Sequence, residues 1–260
     1  MLALITGASS GLGADMARVL ARRGYNLILV ARRKEKLEKL KKELEHPKKG
    51  FGIEAEIISM DLASTFNCMK LYNKVKKQDI DIVINNAGFG LFGEFTSIKL
   101  EKELDMIDLN IKSVQALTKQ FLKDFKEKDK GYILNVASAA GFMSGPYMAT
   151  YYATKAYVLH FTEALNEELR RVGSHVYIGA LCPGPVDTHF NKVAGVKFAM
   201  PGLESYDVAE YTIEKMLKRK LIIIPGFKMK CAILGTRFLS RKRVTHIAGN
   251  FQKKKEGRNG

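Results

Sequence analysis

The sequence predicts an α/β fold: a single, three-layered domain in which helices cover both faces of a doubly wound parallel sheet. Short apolar runs alternate with longer amphipathic stretches over about 220 of the 260 residues, as they do in chains of strand–helix units. The apolar runs are nearly continuous, which is typical of parallel strands that are buried on both faces.

The predicted strands, in chain order, are residues 2–6, 26–31, 54–59, 80–85, 131–137, 175–181 and 221–225. Apolar residues at helical spacing predict helices between them, for example over 12–23, 34–44 and 100–125. The composition changes only near Gly226. We therefore expect one folded domain over residues 1–226 and a separate tail over residues 227–260.

The charge of the chain divides at nearly the same place. The net charge is +16, and residues 215–260 hold 14 Lys and Arg against a single acid, Glu256. The nearly neutral body differs from a basic nucleic-acid-binding domain.

The sequence shows neither a secretory leader nor a run of roughly 20 apolar residues that could cross a bilayer. Its three cysteines show no metal-ligand spacing, so we expect a cytoplasmic protein without a metal site.

The first predicted strand runs into "TGASSGLG", which places Gly7, Gly11 and Gly13 immediately before a helix. Gly7 permits a tight turn, and the other two let a pyrophosphate approach the backbone and the N–H groups at the helix start. The spacing differs from the common G-x-G-x-x-G pattern, and a purely structural turn is the alternative.

The next strands end in residues that suit a dinucleotide. The second strand ends in "VARR" instead of the acid that would bind the ribose 2′-hydroxyl of NAD. Guanidinium groups grip a 2′-phosphate, so Arg32 and Arg33 favour NADP(H), with Arg32 the preferred candidate. Asp61, after the third strand, could accept a hydrogen bond from an adenine amino group or cap the next helix. In "NNAG", Asn85 and Asn86 can tie neighbouring backbone together and Gly88 allows a cofactor to approach closely.

The stretch "YYATK" contains a tyrosine and a lysine four residues apart, Tyr151–Lys155, which a helix would place on one face. The same spacing occurs at Tyr72–Lys76 and at Tyr211–Lys215. Spacing alone therefore does not select a site.

Four motifs, "TGASSGLG", "NNAG", "NVAS" and "YYATK", occur in this order and on these elements, and they resemble the short-chain dehydrogenase/reductase family over residues 2–225. The resemblance implies a Rossmann-type sheet with strand order 3-2-1-4-5-6-7 and a homodimer or homotetramer. It also implies hydride transfer between NAD(P)(H) and a carbonyl/alcohol pair.

The resemblance implies four catalytic residues: Asn110, Ser138, Tyr151 and Lys155. Tyr151 would act as general acid in reduction, with its pKa lowered by the Lys155 ammonium one turn along. Ser138 would hydrogen-bond the substrate oxygen, and Asn110 would hold a water that relays protons to Lys155. The neighbouring Tyr152 lacks a lysine four residues on, and the two other Tyr–Lys pairs are interpreted as surface pairs.

By the same resemblance, the cofactor would be bound by the glycine loop, by the residues after strands two to four, by the Tyr–Lys pair and by the "CPGPVDT" turn after strand six. The residues of this set are Gly7, Ser9, Ser10, Gly11, Leu12, Gly13, Arg32, Arg33, Asp61, Leu62, Asn86, Ala87, Gly88, Tyr151, Lys155, Pro183, Gly184, Val186 and Thr188.

Two segments remain after this turn. Residues 189–202 are predicted to form a substrate lid, because long loops beside a site commonly close over ligands. Five large apolar side chains in this segment suggest a pocket for a hydrophobic substrate: Phe190, Val193, Val196, Phe198 and Met200.

The tail carries Val244, Ile247, Ala248 and Phe251 in the i, i+3, i+4, i+7 pattern of an amphipathic helix. It could pack on a subunit or on the lid, or it could make a peripheral contact with an anionic membrane. Nucleic-acid binding is disfavoured, because no recognised module or aromatic platform accompanies the basic residues.

Together these features predict an NADP(H)-dependent oxidoreductase that interconverts a carbonyl and a secondary alcohol on a medium-sized hydrophobic substrate. The alternative is a non-catalytic NADP-binding sensor or scaffold that is recruited by its basic tail. The complete Asn–Ser–Tyr–Lys set speaks against this alternative, since a binding module has no need of all four residues.

Overall fold

A computed structural model describes residues 1–47, 50–187 and 202–256, the last four of these by their backbone alone. Thr188 and the lid residues 189–201 lie outside the described residues, so the roles expected of them stay predictions.

The strands and helices alternate as the apolar pattern predicts. The strands of the main sheet are β1 (Leu2–Thr6), β2 (Asn26–Ala31), β3 (Ala55–Ser59), β4 (Ile82–Asn85), β5 (Tyr132–Val136), β6 (Tyr177–Leu181) and β9 (Ile222–Ile223), and a separate pair is formed by β7 (Val186–Asp187) and β8 (Leu203–Glu204). The helices are α1 (Gly11–Arg22), α2 (Lys34–Glu45), α3 (Thr65–Val75), α4 (Leu100–Ile107), α5 (Ser113–Lys128), α6 (Ala149–Arg171), α7 (Ser205–Leu217), α8 (Phe227–Thr236) and α9 (Arg241–Glu256).

The main sheet has seven parallel strands in the order β3-β2-β1-β4-β5-β6-β9. This confirms the predicted order 3-2-1-4-5-6-7, because β9 is the seventh strand of this sheet along the chain. The strand order reverses between β1 and β4. In open α/β sheets, ligands bind beyond the carboxyl ends of the strands at such a switch point.

Apolar side chains fill both faces of the sheet. On one face, α1, α2 and α7 pack over residues such as Ile5 and Leu29. On the other face, α3 and α5 pack over Ile133, with Phe121 and Phe125 of α5 almost fully buried. Burying a side chain of this size contributes about 1.5–3 kcal/mol, so both layers hold the strand ends in place.

The helix predicted over residues 100–125 is interrupted in the structure. A π-helical turn, Asp108–Lys112, separates α4 from α5. The turn holds Asn110, whose side chain bonds both backbone groups of Phe89: Nδ2 donates to the carbonyl oxygen at 2.9 Å and Oδ1 accepts from the N–H at 3.0 Å. Apolar spacing does not reveal such turns, which are frequent at functional sites.

Candidate active site

The glycine loop connects β1 to α1 in a conformation that glycine favours. Gly7 has φ +67°, and a Cβ at this position would lie 2.8 Å from Nδ2 of Asn86. That amide donates to the carbonyl oxygens of Thr6 at 2.9 Å and Gly7 at 3.3 Å, so Asn86 ties neighbouring backbone together as predicted. The amide of Asn85 instead donates to the side chains of Thr118 and Asn135. The N-cap residue of α1, Ser10, makes no side-chain capping hydrogen bond. The helix N-terminus therefore has the donors and the dipole that suit a phosphate.

The two arginines after β2 point to different places. Arg33 Nη2 donates to Ser9 Oγ at 3.0 Å and to Ser10 Oγ at 2.6 Å. Arg32 Nη1 instead lies 3.8 Å from Oδ2 of Asp61. The guanidinium beside the glycine loop is thus that of Arg33, and the predicted preference for Arg32 in binding a 2′-phosphate stays a prediction.

Asp61 does not cap a helix. The N-cap of α3 is Ser64, which accepts a hydrogen bond from the Asn67 N–H. Asp61 Oδ1 accepts from the Ala63 N–H at 3.1 Å within the turn before the helix. The capping alternative is therefore wrong, and the adenine contact stays a prediction.

The Tyr–Lys pair of α6 lies in the interior of the domain. The side chains of Tyr151 and Lys155 are both buried, and Lys155 Nζ lies 5.9 Å from the centroid of the Tyr151 ring. The ammonium donates to the Val136 carbonyl oxygen, at the end of β5, at 2.8 Å. The two groups of the predicted proton-transfer pair are therefore neighbours at the carboxyl end of the sheet.

Burial controls the protonation of this pair. It raises the pKa of Tyr151 to about 12, and the contact with the Ser138 hydroxyl acts in the opposite direction. It lowers the pKa of Lys155 to about 8. The net direction for Tyr151 is opposite to the expected one, because desolvation of the phenolate outweighs the hydrogen bond with Ser138. At neutral pH the phenol is therefore protonated, the form that can donate a proton.

Ser138 is fixed by the turn that follows β6. Its Oγ accepts from the Ala140 N–H at 3.1 Å and donates to the Pro183 carbonyl oxygen at 3.4 Å. The same carbonyl accepts from the Ala139 N–H at 2.8 Å. The "CPGPVDT" turn and the loop after β5 are thus fixed to one another by the two hydrogen bonds to the Pro183 carbonyl oxygen.

Thr154 is a positioning residue that was not predicted from the sequence. Its Oγ1 donates to the Tyr151 carbonyl oxygen at 2.7 Å and accepts from Asn110 Nδ2 at 3.0 Å. It therefore links the π-helical turn to the helical turn between Tyr151 and Lys155. Thr154 lies inside "YYATK", but nothing in the sequence distinguishes it from an ordinary helical threonine. The water relay expected of Asn110 stays a prediction.

A cavity of about 710 Å³ joins these parts. All of the predicted cofactor residues except Thr188, which lies outside the described residues, contribute to its lining. Ser138, Tyr151 and Lys155 line it too, whereas Asn110 acts from behind this lining through Thr154.

Helices α8 and α9 form one wall of the same cavity. Met229, Leu239, Val244 and Phe251 are among the apolar side chains that line it. Gln252 is buried, and its Nε2 donates to the hydroxyl of Tyr152 at 2.8 Å. The tail thus packs on the body of its own chain and helps to enclose the site. The amphipathic pattern predicted α9, but the sequence carried no signal for α8.

The chain is similar in sequence to a known family and to proteins within it. The family model for short chain dehydrogenase matches residues 1–197. The human very-long-chain 3-oxoacyl-CoA reductase is 32% identical over an alignment that covers 78% of this chain and 65% of that protein.

Solved structures share the fold. A short-chain dehydrogenase from Sphingobium yanoikuyae, in complex with NADPH, superposes with a TM-score of 0.82 and 32% identity over 91% of this chain and 93% of its own. A short chain dehydrogenase/reductase from Burkholderia phymatum, in complex with NAD, has a TM-score of 0.81 and 25% identity over 96% and 95%. Both of these structures bind a nicotinamide dinucleotide, with the 2′-phosphate in one and without it in the other.

Proposed function

Because the chain belongs to the short-chain dehydrogenase/reductase family, we propose that it is an NADP(H)-dependent enzyme that interconverts a carbonyl and a secondary alcohol on a medium-sized hydrophobic substrate. The observation that carries this proposal is the convergence of the Tyr151 phenol, the Ser138 hydroxyl and the Lys155 ammonium on a cavity that the glycine loop also lines.

The glycine loop and the cavity have the form that a dinucleotide requires. A Cβ on Gly13 would collide with Nδ2 of Asn86 and with the carbonyl oxygen of Gly7, so glycine at this position lets the loop pack tightly against the first turn of α1. When bound, the nicotinamide would supply the hydride. The protein supplies orientation and electrostatics.

The protein's own residues would move the proton. In reduction, Tyr151 donates its phenolic proton to the carbonyl oxygen as hydride reaches the carbon. Ser138 donates a hydrogen bond to the same oxygen and stabilises the charge that develops there. Lys155, charged at neutral pH, stabilises the phenolate that remains. Oxidation of the alcohol runs through the same groups in reverse.

Arg33 supports the choice of NADP(H) over NAD(H). Its guanidinium lies on the serines of the glycine loop, where a 2′-phosphate could accept its hydrogen bonds. Loss of hydrogen bonds to a charged group costs about 1.5–3 kcal/mol. We expect Arg33→Ala to weaken NADPH binding roughly 10- to 100-fold and to leave NADH binding nearly unchanged. Arg32→Ala is the matched control, and an equal loss in both variants would contradict the assignment.

The apolar wall formed by α8 and α9 supports a hydrophobic substrate, and the human relative is named for a fatty acyl ketone. The test is NADPH oxidation against 3-oxoacyl thioesters, bulky ketones and small polar keto acids. We expect the hydrophobic ketones to have the highest kcat/KM. Faster turnover of the small polar acids would contradict the proposed substrate class.

The same assay separates this proposal from the non-catalytic sensor. Wild-type protein should both bind NADPH and turn over a ketone, whereas Tyr151→Phe should bind NADPH and turn over little. A sensor would bind NADPH in both forms and show no turnover in either.

We also propose a cytoplasmic location and a homodimer or homotetramer. Buried, unpaired Cys68 and Cys182 suit a reducing compartment, and the family supports the oligomer. Light scattering during size-exclusion chromatography measures the oligomer, and a monomer at micromolar concentration would contradict it. Among the described helices, none is long and apolar enough to cross a bilayer.

A further inference from the structure

Helix α8 exposes a row of apolar side chains to solvent. Phe227, Leu234 and Phe238 are 80%, 55% and 83% exposed, and Cys231 between them is exposed as well. Positions i, i+4, i+7 and i+11 lie on one side of a helix, and Phe238 continues the helical course through a hydrogen bond to the Gly235 carbonyl oxygen. We call Phe227, Cys231, Leu234 and Phe238 the α8 stripe.

The other side of α8 faces the protein. Ile233 is buried, and Met229 and Thr236 line the cavity. The side of α8 that packs on the protein is therefore a different side from the α8 stripe. It is a second apolar face, in addition to the one that α8 already buries.

Cations surround the α8 stripe. Six Lys and Arg and no acidic residue occur between residues 227 and 252. Lys228, Lys230 and Arg237 flank the stripe along the chain, and Lys230 Nζ donates to the hydroxyl of Tyr211 at 2.9 Å. Residues 241–243, a run of three cations, begin α9, and all six cations are exposed. In the part of the chain whose side chains the structure describes, no acid forms an ion pair with any of them. The surface thus combines exposed aromatic rings with positive charge that the protein itself does not neutralise.

We propose that the α8 stripe and its cations dock the protein on an anionic lipid bilayer, with Phe227 and Phe238 inserted at the boundary of headgroups and acyl chains. Helices that combine Phe and Leu on one side with Lys and Arg at its edges bind membrane surfaces in this way. A second copy of this chain is a poorer occupant, because it would bring two strongly cationic surfaces together. The bilayer supplies both the negative charge and the apolar layer that this surface lacks.

Docking would place the cavity next to the membrane. The stripe and the cavity wall are opposite sides of one helix, so a ketone dissolved in the bilayer could enter beside α8. This consequence rests on the proposed function, whereas docking itself does not.

The test is sedimentation of the full chain with vesicles of phosphatidylcholine, with and without phosphatidylglycerol. We expect binding to the anionic vesicles only, and release by high salt. Phe227→Ser/Phe238→Ser should lower the partition coefficient at least tenfold, because two buried rings are lost. Arg237→Gln/Arg241→Gln should lower it about fivefold for each charge removed.

The matched control is Phe66→Ser, which removes a ring that is 75% exposed on α3 in the body of the domain. This variant should sediment like the wild type. Thermal unfolding and NADPH-dependent turnover of a water-soluble ketone check that Phe227→Ser/Phe238→Ser is folded and active. If the wild type turns over the ketone but does not bind vesicles, the docking proposal alone is wrong. If the wild type binds vesicles but does not turn over the ketone, the proposed function alone is wrong.

The proposal is overturned if the wild type binds neutral and anionic vesicles equally or binds neither. It is also overturned if Phe227→Ser/Phe238→Ser sediments like the wild type, or if Phe66→Ser loses as much. An oligomer that dissociates in Phe227→Ser/Phe238→Ser, without vesicle binding by the wild type, would identify the stripe as a contact between copies and would equally overturn it.

Discussion

Two Tyr–Lys pairs of this protein have the same local geometry and different surroundings. In Tyr151–Lys155 on α6 and in Tyr72–Lys76 on α3, the ammonium lies 5.9 Å from the centroid of the ring. The first pair is buried at the cavity, beside Ser138. The second lies away from the cavity: the hydroxyl of Tyr72 donates to Asp124 Oδ1 at 2.9 Å, and Lys76 is exposed.

The difference shows that the reactivity of a tyrosine depends on its burial and its neighbours, which the four-residue Tyr–Lys spacing does not determine. Partial burial raises the pKa of Tyr72, and the hydrogen bond to the Asp124 carboxylate raises it further by stabilising the neutral phenol. Tyr151 instead has a hydroxyl and a buried ammonium near it, which can stabilise a phenolate during a reaction. Of these two pairs, Tyr151–Lys155 lines the cavity.

The tyrosine hydroxyls test this comparison most strongly. We expect Tyr151→Phe to lower kcat for ketone reduction roughly 10²–10⁴-fold, the usual contribution of a positioned general acid, with NADPH binding retained. Tyr72→Phe should keep wild-type kcat. Steady-state NADPH oxidation measures both, and near-normal turnover by Tyr151→Phe would remove the proposed proton donor.

The upstream serines sharpen the comparison, because Ser138 and Ser59 stand at the same offset before the two tyrosines. Removing a hydrogen bond to the reacting oxygen costs roughly 10²–10³-fold in kcat, so we expect such a loss for Ser138→Ala. Ser59 donates to the Arg32 carbonyl oxygen at 3.0 Å and is the last residue of β3. Ser59→Ala should therefore leave kcat unchanged, and equal losses in the two variants would be incompatible with the assigned site.

The lysines of the two pairs, Lys155 and Lys76, allow a test by the pH dependence of kcat/KM. Reduction needs a protonated Tyr151, whose pKa of about 12 keeps it protonated throughout, and a charged Lys155, whose pKa is about 8. Because kcat/KM reports groups of the free enzyme, it should be constant below neutrality and fall about tenfold per unit above pH 8. Lys76→Gln should keep this profile. A flat profile from pH 6 to 10 in the wild type would show that Lys155 does not control the reaction.

The same lysine predicts a change in stability with pH. The folded-state pKa of Lys155, about 8, lies below the unfolded value of about 10.4. Between these values the unfolded chain binds more protons, so this group makes the free energy of unfolding rise with pH. Above about pH 10 the raised pKa of Tyr151 acts in the opposite direction. Lys155→Met should lose the rise between pH 8 and 10 in denaturant titrations, whereas Lys76→Met should keep it.

The smallest expected effect concerns the surface pair. Tyr72→Phe removes the hydrogen bond to Asp124 and should lower the free energy of unfolding by about 0.5–1.5 kcal/mol, with activity intact. Urea titration measures the loss. A change in NADPH turnover instead would mean that this pair takes part in the reaction.

Most of the fold could be predicted, because it depends on patterns that are local in the sequence. Each of the seven predicted strands overlaps a strand of the main sheet, and no strand end differs from its prediction by more than two residues. The π-helical turn at Asn110 could not be predicted, since it depends on hydrogen bonds to Phe89 and Thr154, which are distant in the sequence. The short β7–β8 pair could not be predicted either, because each of these two-residue strands exists only through its hydrogen bonds to the other.

The sequence by itself determined the position of each strand, the glycine loop and the order of the motifs along the chain, because each depends on a few adjacent residues. The strand order followed from the family resemblance. The tertiary structure decided that Arg33 and not Arg32 lies on the glycine loop, that burial raises the pKa of Tyr151, and that the tail forms a cavity wall. These properties arise from contacts and loss of solvent between residues that are far apart along the chain. No local pattern records them.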